Sequence, residues 1–519
     1  MYKTIEKAKS RLTGNPGMRR AWCVALLAAV GVFAVALPLH AQQVEAVEPQ
    51  PPNAPRDTDI ARALETDLMM NENLMADKID VNVVDGIVTL SGTVDDLLAR
   101  DRAGSVAKTV RGVRAVVNEL TVEPADKRDA TLKNDVTWAL LRDPVADSWE
   151  VDVQVENGVV TLEGSVGSWT EKQFAENVAK GVSGVRDIEN NLDWSVTAER
   201  PDADIQAEIQ RALEYSVWID EALIDVDLDD GHVTLSGAVG SSAEKSRAIT
   251  KAWVAGVTSV NHEDLEVQWW TRDAMRRREK YTVKSDEAVE QAVQDAFLYD
   301  PEVLSFSIDA EVNDGSVTLT GTVDTLSAKR AAEQDANNVV GVYRVTNLIK
   351  VRPTETPTDD EVRNDVVRAL TINPIVERYD IDVKAVNGRV YLNGRVDSAF
   401  EREQAEDIAA RQRGVIEVVN LLDISDWDWQ SDYEIKENIK SQFFWSPFVD
   451  GDDIEITVED GVATLQGEVD TPGEHQSAIE NAYEGGARSV DSRLEIQYSP
   501  DYHVFSRGYY PYAGDYAYP

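Results

Sequence analysis

The chain has 519 residues, more than one hydrophobic core usually serves, with 43% hydrophobic residues and a formal net charge of −43. That charge excludes a general nucleic-acid-binding surface, because such binding depends on neutralising phosphates with Lys and Arg. The single cysteine, Cys23, excludes an intramolecular disulfide, so each folded unit must be held together by packing.

At the N-terminus, Arg19 and Arg20 precede an apolar run from Ala21 to Leu37, and the small residue Ala41 follows within "PLHAQQ". This order predicts a secretory signal peptide over 1–41 and a linker over 42–56. The run is about 17 residues, the short limit for a membrane span, so an uncleaved anchor is the alternative. Cys23 lies inside the run, not at its end, which argues against lipidation there. Residues 1–41 carry six Lys/Arg and one Glu, so their removal takes the net charge from −43 to −48.

The next segment sets a pattern. Ile60, Leu64 and Leu68 recur at helical spacing and predict an amphipathic helix. "DGIVTLSG" (85–92) then predicts the second half of a β-hairpin, since Asp-Gly favours the two-residue turn with positive φ at both positions. With Asp85-Gly86 at the turn, Val83 faces Val88, Val81 faces Leu90 and Ile79 faces Gly92. Asn82, Thr89, Asp80 and Ser91 lie on the other, polar face. Gly92 falls on the apolar face, which calls for either a closely crossing helix or a bulge in the strand. A second, alanine-rich helix follows and is expected to end at Gly112 as its C-cap. "VRAVVNELTV" (113–122) predicts a third strand.

The same order returns five times. The octet reappears as "NGVVTLEG", "DGHVTLSG", "DGSVTLTG", "NGRVYLNG" and "DGVATLQG", with first glycines at Gly158, Gly231, Gly315, Gly388 and Gly461 and second glycines at Gly164, Gly237, Gly321, Gly394 and Gly467. The helical stripe reappears as Leu132, Val136, Leu140; Ile205, Ile209, Leu213; Val289, Val293, Phe297; Val362, Val366, Leu370; and Ile435, Ile439, Phe443. Gly184, Gly256, Gly341, Gly414 and, less clearly, Gly486 stand where Gly112 stands. The spacings between first glycines are 72, 73, 84, 73 and 73, too long for a solenoid repeat and suited to a small domain copied six times.

The expected fold class is therefore α+β: six tandem two-layer α/β sandwich modules. Each runs helix–strand–strand–helix–strand, with two helices on one face of a three-stranded mixed sheet. The modules are placed at 57–123, 128–197, 202–268, 285–352, 358–424 and 431–497. Cores this small rarely supply more than ~3–5 kcal/mol, so packing between neighbours is expected to contribute.

The 84-residue spacing marks an insertion between modules 3 and 4. "QWWTRDAMRRREKYTVK" (268–284) is the one basic segment of an acidic chain, and 269–284 is read as a basic linker. Trp269, Trp270, Arg276, Arg277 and Arg278 combine aromatic and cationic groups suited to anionic lipid headgroups. The competing reading is a solvated hinge whose arginines pair with nearby carboxylates. The loops after the first helices, such as "RDPVADSW" (142–149), "YSVWID" (215–220) and "FFWSPF" (443–448), carry apolar residues that either close the module cores or touch a membrane or partner. The Tyr-rich tail, 499–519, lacks core periodicity and is expected to be disordered.

The glycine pair, together with "GVRAVVNEL" (112–120), "GVYRVTNLI" (341–349) and "GVIEVVNLL" (414–422), resembles the BON domain, named for bacterial osmotically inducible and nodulation proteins. Asn118, Asn347 and Asn420 share one register, while "GARSVDSRL" (486–494) lacks that Asn and "GVTSVNHEDL" (256–265) carries an extra residue. The resemblance covers most of the chain beyond residue 56. It implies an exported, periplasmic, non-enzymatic protein associated with phospholipid contact, envelope integrity and osmotic stress. Its partners would be phospholipid headgroups or envelope proteins, and six copies suggest an extended scaffold.

The residues themselves point to no catalytic site, no cofactor and no small-molecule substrate. His232, His262, His475 and His503 share no metal-ligand spacing. No Ser stands in a G-x-S-x-G turn. "DVDLDDG" (225–231) has its glycine one place late for a calcium loop and alternates like a strand.

Overall fold

The computed structural model describes residues 55–71, 74, 76–148, 150–194, 200–273, 284–303, 307–425 and 430–496. The signal or anchor segment, Arg276, Arg277, Arg278 and the Tyr-rich tail lie outside the described residues.

Module 1 shows the plan. A helix at Asp57–Met70 precedes strands Ile79–Val84 and Ile87–Val94, a second helix at Leu97–Thr109, and a third strand in two pieces, Ala115–Asn118 and Thr121–Val122. Ile87–Val94 is central, antiparallel to the first strand and parallel to the third. The register is the expected one: Val83 pairs with Val88, Val81 with Leu90 and Ile79 with Gly92. The same order and sheet recur in all six modules. The third strand is continuous in modules 2, 5 and 6 (Asp187–Trp194, Glu417–Ile424 and Ser489–Ile496) and broken in the others. The helical stripes face the cores, with Ile60, Leu64 and Leu68 all buried.

A contact that joins residues distant in sequence closes each module. The Asp85 and Gly86 amides at the hairpin turn, both at positive φ, donate to the carboxylate of Asp57 at 2.9 Å each. Asp57 is the first residue of the first helix, so one side chain ties helix to hairpin. Asp129, Asp202, Asp286, Asp359 and Asp432 accept from the corresponding turn amides of the other modules.

The second glycine of the octet is explained by backbone crowding, not by a crossing helix. At Gly164 φ is +134°, and an added Cβ would lie 1.8 Å from the Glu150 carbonyl oxygen, where the first strand enters the sheet. The hairpin is pinched at its open end, leaving no room for a side chain.

The closing glycine needs correction. In module 1 the second helix ends at Thr109, and Gly112 sits in a turn beyond it, closed by the Val113 amide donating to the Val110 carbonyl at 3.1 Å. Gly112 has φ +92°, the geometry that a turn with glycine at its third position requires. The same turn closes at Val185, Val257, Val342 and Val415. Only Gly486 closes its helix, standing at positive φ just past the cap Gly485: Gly486 donates to Tyr483 and Ala487 to Ala482, the paired bonds of a Schellman motif.

The Asn of the resemblance also has a structural task. The Asn118 side-chain amide donates to the Arg100 carbonyl at 2.7 Å and accepts from the Leu120 amide at 3.2 Å, pinning the third strand to the second helix. Asn190, Asn347 and Asn420 do the same. In module 6 Ser492 takes the place of the Asn and hydrogen-bonds His475 at 3.0 Å.

The modules also pack against one another away from their sequence neighbours. Modules 1 and 2 share a continuous core that also takes in Ile372 of module 5, while the other four have cores of their own.

Candidate contact sites

The modules join largely out of chain order, through one repeated backbone contact. The Arg111 amide of module 1 donates to the Trp445 carbonyl of module 6 at 3.1 Å, Ser183 of module 2 to Ile372 of module 5 at 2.7 Å, and Val340 of module 4 to Tyr215 of module 3 at 2.8 Å. Each donor immediately precedes the turn glycine of its module. Each acceptor stands ten residues after the first residue of the helical stripe. The pairs are thus 1 with 6, 2 with 5 and 3 with 4, all in one register.

Aromatic side chains extend these junctions. Trp169 of module 2 stacks on Trp253 of module 3 at 4.7 Å and 4°. Trp218 of module 3 meets Phe448 of module 6 edge-on at 5.1 Å, with Arg247 over both rings. The loops after the first helices therefore serve two ends: Ile219, Val303, Val376 and Val449 close the cores, and their aromatic neighbours bind other modules.

Trp269 and Trp270 lie in a short 3-10 turn, Trp269–Asp273, edge-to-face at 6.1 Å and half-buried. The Gln268 amide donates to Val239, which anchors this turn to the module 3 sheet. At the far end of the insertion, Lys284 pairs with Glu214 of module 3 at 2.7 Å and lies over Tyr215. Both described ends of the insertion thus return to module 3.

A cluster of carboxylates from modules 2, 4 and 5 surrounds Arg411. Arg411 pairs with Glu302 at 3.1 Å. Arg330 reaches across from module 4 to Asp407 at 3.0 Å and to Glu406 of module 5. Burial pushes the Glu302 carboxyl up to about 7. Arg411 opposes that shift, and the neighbouring Asp300 and Asp143 charges add to it. Burial also raises Asp143, Asp300 and Asp335. Burial also acts against the Arg411 charge, but the surrounding carboxylates, Glu302 first, raise its pKa. Asp67, at the junction of modules 1 and 6, is likewise raised to about 7 by burial, against a hydrogen bond from Gln442 at 3.0 Å.

These groups hold modules together, and their arrangement offers no nucleophile–base–orienter geometry. Among the described residues no group of His, Cys, Asp or Glu is set to hold a metal ion, and no helix is long and apolar enough to cross a membrane. Sequence reasoning passed over the turn-binding Asp residues and Asn190, although both stand at fixed offsets from the glycines.

A family model described as the BON domain matches residues 56–124, 128–195, 201–268, 285–353, 358–426 and 431–498. The chain belongs to the BON-domain family. Its BON modules are similar to osmotically-inducible protein Y of Escherichia coli (strain K12), 32% identical over 143 residues, which cover 26% of this chain and 71% of that protein. Outer membrane lipoprotein DolP of Haemophilus influenzae is 31% identical over 134 residues, 25% of this chain and 67% of the relative. The 21 kDa hemolysin of Actinobacillus pleuropneumoniae is 26% identical over 146 residues, 27% of this chain and 75% of the relative. Each match is long enough for about two BON modules.

Proposed function

We propose that this is an exported, non-enzymatic multi-BON protein that supports the cell envelope under osmotic stress through weak contacts with phospholipid headgroups or envelope proteins. The observation that carries this reading is the similarity to osmotically-inducible protein Y, reinforced by the outer membrane lipoprotein. Lipid contact through Trp269, Trp270, Arg276, Arg277 and Arg278 belongs to the same proposal. Each basic residue near an anionic surface is worth about 1 kcal/mol, so three change binding roughly a hundredfold. The acidic modules oppose contact, but at physiological salt their charge is screened within about 8 Å.

A second reading is a holdase-like chaperone or protein-interaction scaffold. It is favoured by Met69, Leu141, Leu298 and Phe444, 66%, 63%, 54% and 52% exposed. All four occupy one register on the first helices of modules 1, 2, 4 and 6, giving repeated apolar contact points.

Vesicle flotation separates the two. The lipid reading expects flotation with anionic but not zwitterionic vesicles, lost on Arg276→Gln, Arg277→Gln and Arg278→Gln together. The chaperone reading expects suppressed aggregation of an unfolding client without vesicles, lost on Leu141→Ser with Leu298→Ser. Wild-type protein that ignores anionic vesicles at low salt removes the lipid reading.

A further inference from the structure

We infer that an open cavity between modules 5 and 6 is a binding site for a phosphate-bearing anion of headgroup size. The cavity has a volume of about 690 Å³ and is lined by Arg395, Arg402 and Arg488. The arginines come from three separate elements. Arg395 lies on the central strand Arg389–Val396, Arg402 on the second helix Ala399–Ala410, and Arg488 just before the third strand of module 6. Three guanidinium groups around one open volume are unusual in a chain of net charge −43. Their fork geometry suits the oxygens of a phosphate, which accept paired hydrogen bonds.

Comparison among the modules shows that this arrangement is particular to this place. The position of Arg395, one residue after the second hairpin glycine, holds Thr93, Ser165, Ala238, Thr322 and Glu468 elsewhere. The position of Arg402 holds Arg100, Lys172, Lys245 and Lys329 in modules 1 to 4 and His475 in module 6, and the two lysines of modules 2 and 3 are committed within their own module. Lys172 donates to the Leu192 carbonyl at 2.8 Å and Lys245 to the Leu265 carbonyl at 2.6 Å. Arg402 makes no such bond to Leu422, the corresponding residue. Among the described residues the guanidinium groups of Arg395 and Arg402 have neither ion-pair nor hydrogen-bond partners. The Arg488 stem lies over the Gly461 turn, which fixes its position at the cavity edge.

One carboxylate, Asp423, also lines the cavity, on the strand beside Arg395. It lowers the affinity for any anion and gives the site an internal control. Among the described residues the lining holds no aromatic ring, and Ser425 supplies a neutral hydroxyl. A phosphorylated polyol or a lipid headgroup fits this lining.

The choice of ligand class rests on the envelope reading above, but the site can be tested without a membrane. The full chain is titrated calorimetrically at low salt with inorganic phosphate, glycerol 3-phosphate and a short-chain phosphatidylglycerol below its micelle concentration, then floated with phosphatidylglycerol or phosphatidylcholine vesicles. The variants are Arg395→Gln with Arg402→Gln, both away from the cores, and Asp423→Asn. Saturable binding is expected. The double variant should weaken it by tenfold or more, on the order of one lost charge-assisted hydrogen bond, and Asp423→Asn should strengthen it. Flotation that depends on these arginines makes the ligand a headgroup; binding of the soluble esters alone makes it a free phosphate ester. No saturable binding of any probe, or a double variant equal to wild type, overturns the inference. Flotation lost on changing Arg276, Arg277 and Arg278 but kept in the double variant leaves the lipid reading standing and overturns this site.

Discussion

Replacing Glu302 with Gln is expected to stabilise the protein at alkaline pH and to do little at acid pH. Glu302 sits 13% exposed at the meeting of modules 2, 4 and 5, and burial raises its carboxyl from an ordinary 4.5 to about 7 despite Arg411 at 3.1 Å. A folded-state value above the unfolded one means that the fold holds the proton more tightly. The stabilisation is therefore complete below pH 4.5 and is lost as pH rises through about 7. A shift of this size corresponds to about 3 kcal/mol. Gln keeps the shape and an acceptor for Arg411 without the charge. Calorimetric melting at pH 5 and pH 8 reads the effect: wild type should be less stable at pH 8, and Glu302→Gln should remove much of the difference. A Gln variant that is less stable than wild type at pH 8 would show that the ion pair with Arg411 outweighs desolvation, and would refute the argument. Asp67 has the same sign, so Asp67→Asn should narrow the pH dependence at the junction of modules 1 and 6.

Gly164→Ala should unfold or loosen module 2 while module 4 keeps its amide-exchange protection, because positive φ alone costs about 1–3 kcal/mol and the Glu150 carbonyl leaves no space for Cβ. Asp129→Ala strips the acceptor from the Asn157 and Gly158 amides and should cost about 1–3 kcal/mol, read from denaturant midpoints. A double-mutant cycle on Trp169 and Trp253 should give a coupling of about 0.5–1.5 kcal/mol for their stack; zero coupling would dismiss that junction.

The hairpins were legible in the sequence because two local signals coincide there. Asp85-Gly86 fixes the turn, and the alternation of Val81, Val83, Val88 and Leu90 fixes the register. The first helices were legible for the same reason, since Ile60, Leu64 and Leu68 repeat at helical spacing. The bond from Asp57 to the Asp85 and Gly86 amides was not, because it joins residues 28 and 29 apart across a loop, and no periodicity announces it. The repeat held the clue: an Asp stands 29 residues before the turn glycine in every module. The C-cap reading of Gly112 failed because a glycine after a helix looks the same in sequence whether it caps the helix or turns the chain a few residues later. The order of module pairing was beyond sequence reach, since its backbone contacts stand at equivalent positions of the repeat, which do not say which module meets which. The cavity of Arg395, Arg402 and Arg488 depends on how modules 5 and 6 pack, so its parts looked like scattered surface charges.

The pairing of modules out of chain order, 1 with 6 and 2 with 5, is the central claim, and the acidic junction of modules 2, 4 and 5 depends on it. Its most direct measurement is crosslinking between modules 1 and 6. Met70 lies within 3.8 Å of the Asn438 side-chain amide, although the two residues are 368 apart in sequence. In a Cys23→Ser chain carrying Met70→Cys and Asn438→Cys, a short bismaleimide should close an intramolecular loop at high dilution, seen as a faster-migrating band on a denaturing gel. Crosslinks that form only between molecules, or none at all, would contradict the paired arrangement.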